Sequence, residues 1–138
     1  MRLTKQTDYA IVLLAHFMRE RGRAGRLRAR ELARLTRLPE PMVRKILKEL
    51  AREGILDSRR GNRGGYTPAR SPAEISVAAI VEALEGPIAM TACSPRAVGR
   101  CPYERGCSVV GPLQHLNSVV QQTLEDLSLA ELLAHSRP

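Results

Sequence analysis

Cys93, Cys101 and Cys107 are the only thiols in this 138-residue chain, and one fifteen-residue stretch, CSPRAVGRCPYERGC, holds all three. Their spacing, C-x7-C-x5-C, is not the C-x2-C knuckle of a zinc ribbon. Pro95, Gly99, Pro102 and Gly106 supply turns between them, so the stretch reads as one loop in which three sulfurs can converge on a single centre. Soft thiolates suit an iron–sulfur cluster, zinc or copper(I), and a tetrahedral zinc or a cubane cluster takes a fourth ligand as well. Arg96, Arg100 and Arg105 lie among the cysteines, an environment that serves a reactive-thiol switch equally well. An odd cysteine count without an export signal argues against a disulfide framework. Metal or cluster ligation, redox thiols and incidental loop cysteines therefore stay open on spacing alone.

The elements that would carry such a loop divide the chain by charge. Residues 1–70 hold 18 Lys and Arg against 7 Asp and Glu, a balance of +11, whereas residues 71–138 hold 4 against 7, a balance of −3. A basic half of this size is the electrostatic footprint of a protein that binds phosphate backbones, because every neutralised phosphate releases counterions. No apolar run approaches the roughly 20 residues that span a bilayer. The first twenty residues interrupt their apolar face with Lys5, Asp8 and His16 and lack a small-residue cleavage site. The expectation is a cytoplasmic protein with no membrane partner. An enzyme is the least supported class, since no catalytic triad, no phosphate-cradling glycine loop before a helix and no paired carboxylates occur.

Within the basic half, Ala10, Leu13, Leu14, Phe17 and Met18 recur at spacings of three and four, which predicts a helix from about Thr4 or Thr7 to Arg19. RGRAGR ends it. A second helix is expected over Ala29–Leu35, with Leu32 and Leu35 inward. Pro39 and Pro41 suit the first turn of a third helix that stops at Gly54. Its inward face is Val43, Ile46, Leu47 and Leu50, which leaves Arg44, Lys45, Lys48 and Arg52 outward. GILDSRRGNRGGYTPAR then reads as a β-hairpin whose glycine-rich tip carries Arg59, Arg60 and Arg63. A helix pair followed by a hairpin is a winged helix-turn-helix, with the third helix as the recognition helix. Arg44 and Lys45 would approach base edges, Lys48 and Arg52 phosphates, and the wing arginines the adjoining groove.

The acidic half opens with SPAEISVAAIVEALEG, a helix capped by Ser71 or Ser76, carrying Val77, Ile80, Val81 and Leu84 on one face and ending at Gly86. Beyond the cysteine loop, Pro112 starts a long helix with Leu113, Leu116, Val120, Leu124 and Leu127 in a three-four pattern. Too little chain remains to cover that stripe, so it is expected to pack on the same helix of a second subunit in a C2 homodimer. SLAEL has the capping-box form of a last short helix. The fold class is thus mainly α with a small β-wing: residues 1–70 a winged helix-turn-helix DNA-binding domain, residues 71–138 a cysteine cluster-binding loop and dimerisation helices.

The order MRLTKQTDYAIVLL, LPEPMVRKILKELAREGIL, RRGNRGGYTPARSPAEISVAAIVEALEGPIAMTAC, then the cysteine trio and a long helix, resembles the Rrf-type winged-helix transcription regulators over nearly the whole chain. These include iron–sulfur and nitric-oxide sensors of the IscR and NsrR kind, and TDYAIVLL, LPEP and EGPIAMTAC look closest to the regulator of the SUF cluster-assembly system. The resemblance implies a dimeric repressor of double-stranded DNA operators that senses iron–sulfur, redox or nitric-oxide status and controls cluster-assembly genes. It places Cys93, Cys101 and Cys107 at the ligands of a 2Fe-2S or 4Fe-4S cluster. Some relatives add a histidine three positions after the last cysteine, where this chain has Val110. Others use an acidic residue on the partner's first helix, and Asp8 occupies that place; His115 and Glu104 are further candidates. The alternative is a zinc-binding or thiol-redox winged-helix repressor without a cluster.

Overall fold

A computed structural model describes residues 2–19 and 26–136. The RGRAGR turn, apart from Arg26, lies outside the described residues. In chain order come α1 (Lys5–Arg19), α2 (Ala29–Thr36), α3 (Glu40–Arg52), β1 (Leu56–Arg59), β2 (Gly65–Pro68), α4 (Val77–Glu85), α5 (Val110–Asp126) and α6 (Leu129–Ala134).

The apolar periodicity decides what each helix buries. Ala10, Leu13, Leu14 and Phe17 of α1 meet Val43, Ile46, Leu47 and Leu50 of α3 in one core, closed by Leu32 of α2 and Leu56 of β1. Pro39 caps α3 and Pro41 lies in its first turn, where its missing N–H removes no helical bond. One expectation is corrected in α2: Leu32 is buried, but Leu35 is exposed. Ala29, Leu32 and Ala33 form the inward stripe, and at about 100° per residue Leu35 falls roughly a third of a turn away from its centre. Arg37 then takes a left-handed backbone, φ 59°, to turn the chain from α2 into α3.

β1 and β2 pair antiparallel, Leu56 with Pro68 and Arg59 with Gly65. Leu27 adds a third short rung, exchanging backbone hydrogen bonds of 3.0 and 2.8 Å with Tyr66. This contact needs glycine: Gly65 has φ 122°, and a Cβ there would stand 2.8 Å from the Leu27 carbonyl oxygen.

α4 belongs to two apolar clusters. Ile80 and Ala83 join the core of α1–α3, together with Ile75 and with Leu129 of α6, while Val77, Ala78 and Val81 pack with Ile88, Leu124, Leu127 and Leu132. The charge boundary near residue 70 is therefore crossed by packing. α6 is held by its capping box, in which the Ser128 backbone N–H donates to the Glu131 carboxylate at 2.8 Å and the Glu131 backbone N–H to Ser128 Oγ at 3.1 Å. α5 begins at Val110, two residues before Pro112. Its first four N–H groups have no helical acceptor, so a proline in the third position costs no bond. No helix among the described residues is long and apolar enough to cross a membrane.

Candidate functional site

The recognition helix and the wing enclose a cleft of about 650 Å3. Four of the expected cations line it: Arg44 and Lys48, one helical turn apart on α3, with Arg59 and Arg60 of the wing. Arg28 and Arg30 join them from the start of α2. These two were not anticipated. They precede α3 in the chain, and the Leu27–Tyr66 pairing draws their segment against the wing. Arg28 also donates from one guanidinium nitrogen to the carbonyls of Gly61 and Asn62 at 2.9 and 2.8 Å, which steadies the wing tip. Arg26 braces the base of the wing, 2.8 Å from the Asp57 carboxylate. The hydrogen bond from Arg26, aided by the positive charges of Arg26 and Arg59, holds the Asp57 carboxyl below its ordinary value of 3.8. Arg63 is exposed at the wing tip, outside the cleft lining.

Lys45 and Arg52 lie elsewhere. They line a second groove, of about 520 Å3, with Gln6, Glu49, Glu53, Glu82 and Arg96. Arg52 is ion-paired with Glu49. Lys45, expected at base edges beside Arg44, and Arg52, expected at phosphates, thus line a different groove from Arg44 and Lys48. Successive residues on a helix are about 100° apart, so Arg44 and Lys45 cannot share a groove that selects Arg44 and Lys48. Arg44 itself has an exposed partner, Glu40, at 2.5 Å.

The cysteine loop covers the N-terminal end of α5. A cleft of about 680 Å3 is lined by Cys93 and Cys101, with Arg100, Glu104, Arg105 and Gln114 among its other walls. Cys93 is buried, whereas Cys101 and Cys107 are half-buried, and all three thiols are free. Cys107 is not part of the lining. Among the described residues no three His, Cys, Asp or Glu side chains are gathered as a metal site, so the expected convergence of three sulfurs is absent from this conformation of the monomer. The donor types suit a thiolate-ligated centre, and three sulfurs closing round it would need an arrangement of the loop other than this one. Of the other ligand candidates, Glu104 lines the cleft, while His115 is exposed on α5. Asp8 is exposed on the first turn of α1. Glu85 of α4 fixes that turn by accepting from Thr7 Oγ1 at 2.6 Å and from the Thr4 backbone N–H at 3.2 Å.

Arg96, three residues beyond Cys93, reaches α4, where its guanidinium stands 2.6 Å from Glu82 Oε1. The contact has the distance of an ion pair without the alignment of a hydrogen bond, and no donor satisfies that buried oxygen among the described residues.

The α5 stripe is split. Leu124 and Leu127 pack back toward α4, Leu113 and Val120 are half-buried, and Leu116 is exposed together with Val109 and Val119. The only fully buried side chain of α5 is polar, Asn117, which sequence reasoning missed because an isolated amide among apolar positions gives no periodic signal.

A helix-turn-helix core, a glycine-tipped wing and a shared cationic cleft define a winged-helix DNA-binding protein, and the fold matches solved structures of that class. The CymR (YrzC) structure of B. subtilis, called its global cysteine regulator, superposes with a TM-score of 0.73 at 21% identity, covering 99% of each chain. T. potens IscR gives a TM-score of 0.67 at 20% identity over all of this chain and 93% of that one. In sequence, the HTH-type transcriptional repressor NsrR of Streptomyces coelicolor is 29% identical over 97% of this chain and 89% of its own. The Rrf2 family model, that of an iron-dependent transcriptional regulator, matches residues 3–135. The chain belongs to the Rrf2 family: it is a DNA-binding transcription regulator and not an enzyme.

Proposed function

We propose that this regulator is a homodimeric repressor that grips a double-stranded operator with α3 and the wing, and that a cluster held by Cys93, Cys101 and Cys107 sets the strength of that grip. The observation that carries the reading is the cleft shared by Arg28, Arg30, Arg44, Lys48, Arg59 and Arg60, because six cations from three separate segments on one concave wall match the charge of a phosphate backbone. The cysteine loop touches α4 through Arg96 and α5 through Gln114, outside the cationic cleft, so its chemistry would act on how the reading module is held. The proposal extends to control of iron–sulfur cluster assembly genes, supported by the sequence resemblance to the SUF regulator.

A bound 2Fe-2S or 4Fe-4S cluster would supply a centre sensitive to redox state, nitric oxide and iron loss. The three cysteines would hold it, and Asp8 of the partner subunit would complete the set through a carboxylate oxygen, which exchanges more readily than a thiolate. Held in this way, Asp8 would act as a tether between subunits. Two recognition helices must meet half-sites about 34 Å apart, so a small rotation is enough to cost one of the two major-groove contacts. In the cell such a regulator works in the cytoplasm.

A second reading is a repressor acting through zinc or bare thiols; its bare-thiol form is favoured by one observation, that no three ligands are gathered among the described residues of the monomer. Anaerobic purification followed by iron and zinc analysis, Mössbauer spectra and DNA binding separates the two. The cluster reading expects about a tenfold or greater difference in affinity between loaded and cluster-free protein for a duplex selected from genomic fragments. It also expects Cys101→Ala to abolish visible absorbance while the fold persists. Colourless protein containing zinc, or equal affinities in both states, rules the cluster reading out.

A further inference from the structure

Asn117 is buried in the middle of α5, and every hydrogen-bonding group of its amide is used. Its Oδ1 accepts the backbone N–H groups of Met90 at 2.6 Å and Thr91 at 3.3 Å. Its Nδ2 donates to the Leu113 carbonyl at 2.8 Å and to Thr91 Oγ1 at 2.6 Å. Peptide N–H groups can only donate, so the amide cannot be flipped without losing these bonds. Thr91 Oγ1 therefore accepts from Asn117 and stands 3.2 Å from Cys93 Sγ; with its own proton and a second lone pair both uncommitted, it can accept from a Cys93 thiol or donate to a thiolate. Gln114, one turn earlier on α5, donates to the Cys93 carbonyl at 3.2 Å. No side-chain hydrogen bond reaches the sulfur of Cys101 or Cys107 among the described residues.

We infer that Asn117 and Thr91 form a positioning relay, in which the Asn117 amide locks the Thr91 hydroxyl and that hydroxyl hydrogen-bonds to the Cys93 sulfur. Cys93 is thereby the fixed sulfur of the trio. The relay also runs from that sulfur directly into α5, the helix whose exposed apolar residues await a partner, so any change of bonding at Cys93 is registered on α5 without passing through the rest of the loop. The functional consequence rests on the reading of Cys93 as the sensing thiol; the relay itself is a property of the folded chain.

The test has two arms. In reduced, cluster-free full-length protein labelled with 15N, Cys93→Ala shifts the Asn117 side-chain amide and Thr91 backbone resonances by more than a linewidth, while Cys107→Ala leaves both in place. Unmoved resonances in Cys93→Ala overturn the relay. In protein reconstituted with iron and sulfide, resonance Raman spectra show shifted iron–thiolate stretching bands for Thr91→Val and wild-type bands for Thr91→Ser, which keeps the hydroxyl. Identical bands for Thr91→Val overturn the hydrogen bond to sulfur. A wild type that takes up no cluster defeats the sensor reading instead, and the first arm still decides the relay.

Discussion

Arg44, Lys48 and Arg28 reach the cleft by different routes, and the difference separates what a residue-level reading can see from what it cannot. Arg44 and Lys48 are one turn apart on a helix whose other face is fully apolar, so their outward direction follows from periodicity alone. Arg28 is visible only in three dimensions, because its place depends on Leu27 pairing with Tyr66. Arg52 shows the converse: it points outward as expected, yet its partner is Glu49 and its groove is the second one. Measured as log affinity against log salt, Arg44→Ala and Arg28→Ala each reduce the slope by about 1. Arg52→Ala leaves the slope within error of wild type. An unchanged slope for Arg44→Ala and Arg28→Ala would remove the cleft from the DNA interface.

At the scale of the element, the wing is the piece with the least apolar support. β1 buries one residue of four, Leu56, and β2 buries none fully, so turn chemistry and ion pairing must hold what packing does not. Gly65→Ala combines an unfavourable φ with a close approach to the Leu27 carbonyl oxygen. It should destabilise the wing by about 1–3 kcal/mol, seen as faster amide exchange at Tyr66 while α1 and α3 amides are unaffected. The Arg26–Asp57 contact gives a pH signature. Because the folded carboxyl titrates below its ordinary value of 3.8, its contribution is fully present above that value and is lost as the pH falls through the lower, folded value. Tyr66 protection should hold steady from neutral pH down to about 4 and decline below it, and Asp57→Asn should lose that decline. Hairpin and glycines were legible from the GNRGG run. The third rung through Leu27 was not, since a single pairing residue next to a glycine-broken stretch carries no strand pattern.

Across the whole molecule, α4 couples the two halves. One side of it closes the DNA-binding core through Ile80 and Ala83, the other receives Leu124 and Leu127 of α5, and Glu82 takes the Arg96 contact from the cysteine loop. The apolar residues left over, Val109, Leu116 and Val119, recur along α5 at intervals of seven and three, consistent with one exposed strip of helix. Leu116→Asp combined with Val119→Asp should convert a dimer into a monomer by sedimentation, with little change in thermal stability of the DNA-binding core. Operator affinity should fall by at least a hundredfold, since one of two half-site contacts is lost. A dimer that survives this pair places the subunit contact elsewhere.

Local chain properties were enough to specify α1 to α6, the recognition helix α3 among them, and the hairpin. Amphipathic spacing, proline at helix starts and glycine at turns act over a few residues, and their physical effect does not depend on what lies across the core. The outward cations of α3 and the clustering of thiols in one loop are local in the same sense. Which groove each cation faces, how α4 shares its two sides, that Cys93 alone is anchored through Thr91 to Asn117, and that the three sulfurs stand apart are all decided by packing. Those facts depend on distances between segments separated by many residues, and close-packed side chains set such distances only once the chain has folded.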